Sequence, residues 1–152
     1  MQANIVIKEA SLEEVVLVNA TITEFGGPYE KFYFESRLKG KPHLALGAYI
    51  EGKAVGYMVA YDRDNDGSFY CWMAGVSPDQ RRKGIIGQLM ASLEQWTNAN
   101  GYSWITIKTR NARREMLAYL VKAGFNFTAV EERPATRDNR ILLEKRVAKI
   151  AG

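Results

Sequence analysis

SFYCWMAGVSPDQRRKGIIGQLMASLEQW, residues 68–96, changes character twice within its length. Ser68 to Val76 is almost continuously apolar, the pattern of a central strand buried on both faces. From Gly84 onward Ile86, Leu89, Met90, Leu93 and Trp96 recur at helical spacing, and Gly101 supplies the stop. Between the two lie Pro78, the cations Arg81, Arg82 and Lys83, and Gly84. A buried strand therefore delivers the chain through a basic, glycine-bearing loop into an amphipathic helix. The first N–H groups of a helix have no acceptor within it and carry roughly half a positive charge. Such a junction can hold a diphosphate on its backbone, with Gly84 letting the ligand approach and the three cations adding attraction.

The flanking sequence completes the pattern. Asn4 to Ala10 alternates as a short strand. The run SLEEVVLVNATITEF follows as a helix, with Ser11 and Glu14 at capping-box spacing. Pro28 opens a second helical stretch, YEKFYFESRL, which Gly40 closes. HLALGAYI and AVGYMVAYDR flank Glu51-Gly52-Lys53 as a hairpin, and Asp64 to Gly67 form a polar turn. After the quoted stretch, Tyr102 to Arg110 alternates as a strand and NARREMLAYLVKAGF forms a helix closed by Gly124. FTAVEER and RILLEKRV are two last strands around the polar loop PATRDN. The order is strand, two helices, three strands, helix, strand, helix, two strands. It predicts an α/β domain in which a mixed sheet is covered by helices on both faces.

Bulk properties narrow the function classes. With 152 residues, 47% of them hydrophobic, one domain over residues 1–152 has enough material for a proper core. The net charge of +4 is a mild basic bias that suits an anionic ligand as well as nucleic acid. No aromatic residues interleave with the basic cluster as a stacking groove requires, so nucleic acid ranks last. Cys71 is the one cysteine, which excludes a disulfide framework and a zinc cluster and fits a reducing, cytoplasmic setting. His43, the one histidine, has no metal-ligand partner pattern and is taken as structural. The start MQANIVIKEA lacks the features of a signal peptide, and no segment is long and apolar enough to span a bilayer.

Val76-Ser77-Pro78, then Arg81-x-x-Gly84, an apolar helix, and Asn111 to Phe125 ending in KAGF together resemble the GNAT acetyltransferase superfamily. Its signature is Arg or Gln, two residues, Gly, one residue, then Gly or Ala. The resemblance covers most of the chain, because the element order is also that family's. It implies a GNAT fold: a mixed, mostly antiparallel central sheet of about seven strands flanked by about four helices. It implies acetyl-CoA as donor and a primary amine as acceptor, with direct transfer while both are held in one complex, and it allows a homodimer. The diphosphate would rest on the backbone of Arg81, Arg82, Lys83, Gly84, Ile85, Ile86 and Gly87. The pantetheine arm would pair like an extra strand with Met73, Ala74, Gly75 and Val76. Asn111 joins the cofactor-binding set by the same resemblance. Gly75 is compatible with a bulge or splay that opens the gap.

Three positions depart from the family pattern. Ile86 stands where the family has Gly or Ala, and Gly87 comes one residue late. Tyr70 occupies the place of a frequent glutamate, six residues before Val76. Leu120 occupies the place of a frequent tyrosine, four residues before Gly124, with Tyr119 adjacent and about 100° away on the helix. Tyr70 and Tyr119 are therefore the catalytic candidates the resemblance leaves. Glu131 and Glu132 are remote carboxylates for which plain solvation is the favoured role, and Cys71, inside an apolar strand, belongs to the core. Tyr29, Phe32, Tyr33 and Phe34 are expected to divide between core and an acceptor pocket. Without the usual glutamate and tyrosine, a CoA-binding module without catalysis is the alternative.

Overall fold

The computed structural model describes residues 4–25, 27 and 29–147, and the element order expected above is the order found. β1 (Ile5–Glu9) leads into α1 (Leu12–Asn19), and α2 spans Lys31–Leu38. β2 (His43–Ile50), β3 (Lys53–Tyr61) and β4 (Ser68–Val76) follow as a meander. Then come α3 (Ile85–Ala99), β5 (Trp104–Arg110), α4 (Arg114–Lys122), β6 (Asn126–Glu131) and β7 (Arg140–Arg146). The seven strands lie in the order β1-β2-β3-β4-β5-β7-β6, and every pair is antiparallel except β4–β5.

Local chemistry sets most boundaries. Ser11 caps α1 by accepting from the Glu14 N–H at 3.2 Å, while the Glu14 carboxylate accepts from the Ser11 N–H at 3.1 Å. The β2–β3 hairpin turns through Glu51 and Gly52 at φ of 52° and 79°, both left-handed, the backbone of a two-residue primed turn. α1 stops at Asn19, earlier than the sequence suggests. There the Asn19 side chain is buried and donates to the Tyr57 hydroxyl at 2.8 Å, and Thr23–Phe25 forms a separate 3-10 turn. The expected role of Pro28 in opening α2 falls outside the described residues.

The sheet separates two apolar layers. α3 and α4 close one face through Ile85, Leu89, Met90, Leu93, Leu117 and Leu120. α1 and α2 close the other through Val15, Val18, Phe34 and Leu38, which meet Tyr57, Val59, Tyr61 and Tyr70. No helix among the described residues is long and apolar enough to cross a membrane.

Candidate active site

The sheet forks in its middle. β4 is bonded to β3 from Tyr70 to Val76, but to β5 only where Ser68–Cys71 meets Trp104–Ile107. β5 continues along β7 as far as Arg110, so the two halves of the sheet part beyond Cys71. A bulge begins the divergence. Val59 pairs with Met73 and Ala60 with Cys71, which leaves Trp72 as the extra residue. Trp72 and Met73 consequently both turn towards the α1/α2 layer, and alternation resumes at Ala74. The sequence suggested Gly75 for this distortion; it lies three residues earlier because the register against β3 sets it. Trp72, Met73 and Ala74 are half-exposed between buried neighbours, so the fork is open to solvent where β4 has no partner on that side.

Beyond Val76 the chain crosses to α3. The Ser77 N–H donates to the Val55 carbonyl at 2.8 Å and a 3-10 turn covers Pro78–Gln80. Arg82 then takes a left-handed φ of 64° and Gly84 one of 76°, so the chain turns sharply before the helix. A Cβ on Gly84 would have nothing within 4 Å, so its outer side is open to an approaching ligand. No side chain among the described residues caps α3, and its first turn holds no acidic residue. The first intrahelical donor is Gln88, to the Gly84 carbonyl at 3.1 Å, so the N–H groups of Ile85, Ile86 and Gly87 have no acceptor within the helix. Three bare donors at the positive end of a fifteen-residue helix are able to hold an anion on backbone alone.

The side chains expected to assist it are engaged elsewhere. The Arg81 Nε donates to the Val76 carbonyl at 3.2 Å, and its guanidinium forms a two-pronged ion pair with Glu24. That guanidinium holds the Glu24 carboxyl below its ordinary value. Arg82 pairs with Glu115 at 3.2 Å on the exposed surface, and the Lys83 ammonium donates to the Gln80 side chain at 2.5 Å. Asn111 donates to the Thr136 carbonyl at 3.3 Å and accepts from Arg114 at 2.9 Å, tying the β6–β7 connection to the start of α4. The Arg81–Glu24 pair is a feature sequence reasoning missed. Its partners are 57 positions apart, and no periodicity or motif joins them.

Ile85 is buried and presses onto the sheet at Gly56, where a Cβ would lie only 3.0 Å from its methyl carbon. Ile86 is half-buried and packs against the same core, while a Cβ on Gly87 would meet the Tyr119 ring at 3.8 Å. Tyr119 therefore faces the first turn of α3, whereas Leu120 is fully buried. Burial raises the Tyr119 phenol above its ordinary value.

On the other side of the fork Tyr70 is buried, and the Arg63 guanidinium lies 3.8 Å from its ring centre. Desolvation raises its phenol as well. Phe34 is core, Phe32 is 76% exposed, and Tyr29 and Tyr33 stack at 4.6 Å. The Tyr33 ring lies 5.5 Å from Trp72, so a hollow of about 540 Å³ beside Tyr29, Phe32, Tyr33 and Arg37 adjoins the fork. Glu131 is neutralised by Lys108 and Arg133, and Glu132 lies past the end of β6. Cys71 is sealed in the core, and burial pushes its thiol up to about 12. His43 opens β2 with Nδ1 2.9 Å from the Lys41 carbonyl, and no cluster of metal-ligating side chains occurs among the described residues.

Known proteins share this fold. A family model described as "Acetyltransferase (GNAT) family" matches residues 14–125. The acetyltransferase SG1711 of Sodalis glossinidius is 29% identical over 114 residues, which is 74% of this chain and 72% of that protein. The ribosomal-protein-S18-alanine N-acetyltransferase of Escherichia coli superimposes with a TM-score of 0.83 at 17% identity, covering 97% of each chain. The yncA protein of Salmonella typhimurium, solved with acetyl-CoA, superimposes with a TM-score of 0.76 at 15% identity, covering 97% of this chain and 96% of that one.

Proposed function

The chain belongs to the acetyltransferase (GNAT) family, and from that premise we propose that it moves an acetyl group from acetyl-CoA to a primary amine held in the same complex. One observation carries the reading: an uncapped helix start stands directly beyond a strand whose outer edge is unpaired. The N–H groups of Ile85, Ile86 and Gly87 hold the diphosphate, and the β4 edge that β5 leaves unpaired, from Met73 to Val76, takes the pantetheine arm. Bound there, acetyl-CoA supplies an activated acyl group. The chain's own part is to orient the two reactants and to polarise the thioester carbonyl with backbone N–H groups at the fork, the kinds of effect that dominate such transfers.

The amine enters from the α1/α2 side, past Trp72 and the hollow at Tyr33. It must be neutral to attack. A lysine-type amine costs about 4.6 kcal/mol to deprotonate at pH 7, and an α-amino group under roughly 1.4 kcal/mol. An α-amino acceptor therefore asks less of a site in which Tyr70 replaces a carboxylate. The same replacement, with Leu120 buried in the tyrosine's place, favours a second reading, a CoA-binding module without turnover. Thiol release from acetyl-CoA distinguishes them, assayed with a peptide bearing a free N-terminus, a lysine peptide blocked at its N-terminus, spermidine and an aminoglycoside. Release with one acceptor supports transfer; tight binding with no release supports the module. Acetyl-CoA at a hundredfold excess over its Kd stabilises the fold by about 2.7 kcal/mol. No melting shift at millimolar acetyl-CoA would sink both readings.

A further inference from the structure

Just before the fork, the sheet aligns three polar side chains that acetyl-CoA binding leaves unused. Tyr70 of β4 pairs with Thr106 of β5, and Thr106 with Glu144 of β7, in one row across three strands. Directly paired residues share a face. This is the face on which Tyr70 packs with Phe34, Tyr57 and Tyr61; Phe69, Cys71, Ile105, Ile107 and Leu143 fill the other. The row sits one residue before Cys71–Ile107, the last β4–β5 pair, and so immediately below the point where the strands part.

Among the described residues, two members of the row have no partner. The Thr106 hydroxyl is sealed from solvent without a hydrogen bond. Glu144 is half-buried and, among the described residues, has neither an ion pair nor a hydrogen bond. Leaving a sealed polar group unpaired costs on the order of 1–3 kcal/mol, and such exceptions in folded proteins call for a cause. Glu131, on the same face, shows the ordinary alternative in its contacts with Lys108 and Arg133. The charged groups facing the row are Arg63 over the Tyr70 ring, Arg37 acting on Tyr70, Lys108 two residues along β5 and Arg146 two residues along β7. Asn126, opposite Glu144 on β6, is uncharged.

Resting on the acetyltransferase reading, we propose that Glu144 is a positioning residue that draws the acceptor's ammonium to the fork and receives its proton through the Thr106 hydroxyl. Seating the acceptor at the fork uncovers the Thr106 hydroxyl and turns it to Glu144, and the ammonium gives one proton along it to that carboxylate. The freed lone pair forms the N–C bond at the thioester carbonyl, the C–S bond breaks, and the sulfur takes a second proton from nitrogen. An N-acetyl amine and a thiol leave, and half-exposed Glu144 returns its proton to water.

Two small amines test this. n-Butylamine is cationic at pH 7, and hydroxylamine is already neutral. Glu144→Gln is expected to lower kcat/KM for n-butylamine about a hundredfold at pH 7, and for hydroxylamine by less than about threefold, since that amine has no proton to lose first. The n-butylamine deficit shrinks as pH approaches the amine's own pKa, near 10. Thr106→Val behaves like Glu144→Gln, and Thr106→Ser restores the wild-type ratio, with melts confirming that each variant is folded. Without acetyl-CoA, the Glu144 carboxyl carbon resonance, identified by its loss in Glu144→Gln, shifts on addition of n-butylammonium chloride. Equal losses for both amines at every pH, or a resonance indifferent to n-butylammonium, overturns the proposal and leaves the acetyltransferase reading standing. If the wild type releases thiol with neither amine, the resonance alone decides whether Glu144 is an ammonium site, and the acceptor panel above decides the acetyltransferase reading.

Discussion

Replacing Ile86 by glycine restores the family's residue at the mouth of the anion seat, and the structure says what this does. The Ile86 N–H is one of the three bare donors of α3, but its side chain is half-buried against the core, away from those donors' task. Full burial of such a side chain is worth about 1.5–3 kcal/mol, so half-burial is worth about 1 kcal/mol. Glycine adds a helix penalty of roughly half a kcal/mol relative to isoleucine. Ile86→Gly should therefore destabilise the fold by about 1.5 kcal/mol, a fall in Tm of roughly 3–6 °C for a domain of this size. Affinity for acetyl-CoA should stay within a few fold, because the donor remains. Thermal melts and calorimetric titration of the same samples check both halves. A tenfold gain in affinity, about 1.4 kcal/mol, would refute the reasoning, since the isoleucine side chain would then obstruct the seat.

Gly87→Val should do the reverse. Its side chain enters the space against the Tyr119 ring, 3.8 Å from the Cβ position, so the melt should barely move while acetyl-CoA affinity falls at least tenfold; unchanged affinity would show that the ligand does not need the space a glycine leaves there. Tyr119→Phe should raise the Kd for acetyl-CoA and leave turnover within about tenfold, because the ring faces the first turn of α3 and not the fork; a hundredfold loss of turnover, the value of an acid–base group, would contradict this. Alkaline stability follows from Cys71 and Tyr49, whose thiol and phenol burial pushes up to about 12. The folded chain holds these protons more tightly than the unfolded chain, so their stabilisation is complete below the unfolded thiol value of roughly 8.5 and drains away as pH rises towards 12. Urea midpoints should fall between pH 9 and 11, and less steeply in Cys71→Ala; parallel slopes would show that the thiol titrates no differently in the fold.

The parts legible in the sequence are those fixed by neighbours along the chain. The β4 run, the α3 stripe, the Ser11–Glu14 cap and the glycine stops Gly40, Gly101 and Gly124 depend on residues within about one turn or strand, and all lie where expected. The fork was only half legible. An apolar run states that β4 is central, but its bulge at Trp72 exists because β3 sets a register that β4 exceeds by one residue. The end of α1 is illegible for a similar reason: its apolar spacing continues to Ile22, but the buried bond from Asn19 to Tyr57 ends it from across the layer. A basic loop before a helix suggests phosphate for Arg81, and nothing along the chain announces the carboxylate, distant in sequence, that its guanidinium meets in the fold.

Arg81 and Ile86 contribute to the proposed seat in two different ways. Ile85, Ile86 and Gly87 contribute main-chain donors, which almost any residue supplies provided a helix begins there. Ile86 meets that condition while sending its side chain to the core, so the change at that position need not cost a ligand contact. Arg81 contributes a side chain that grips the last carbonyl of β4 with its Nε and the turn after α1 with its guanidinium. Those are the end of the forked strand and a wall beside it, so Arg81 acts as a frame member before it is anything else. The Thr21 hydroxyl, 3.1 Å from that of Ser77, ties the same two segments at a second point. The proposed backbone seat thus keeps its shape through side chains that never need to touch the ligand.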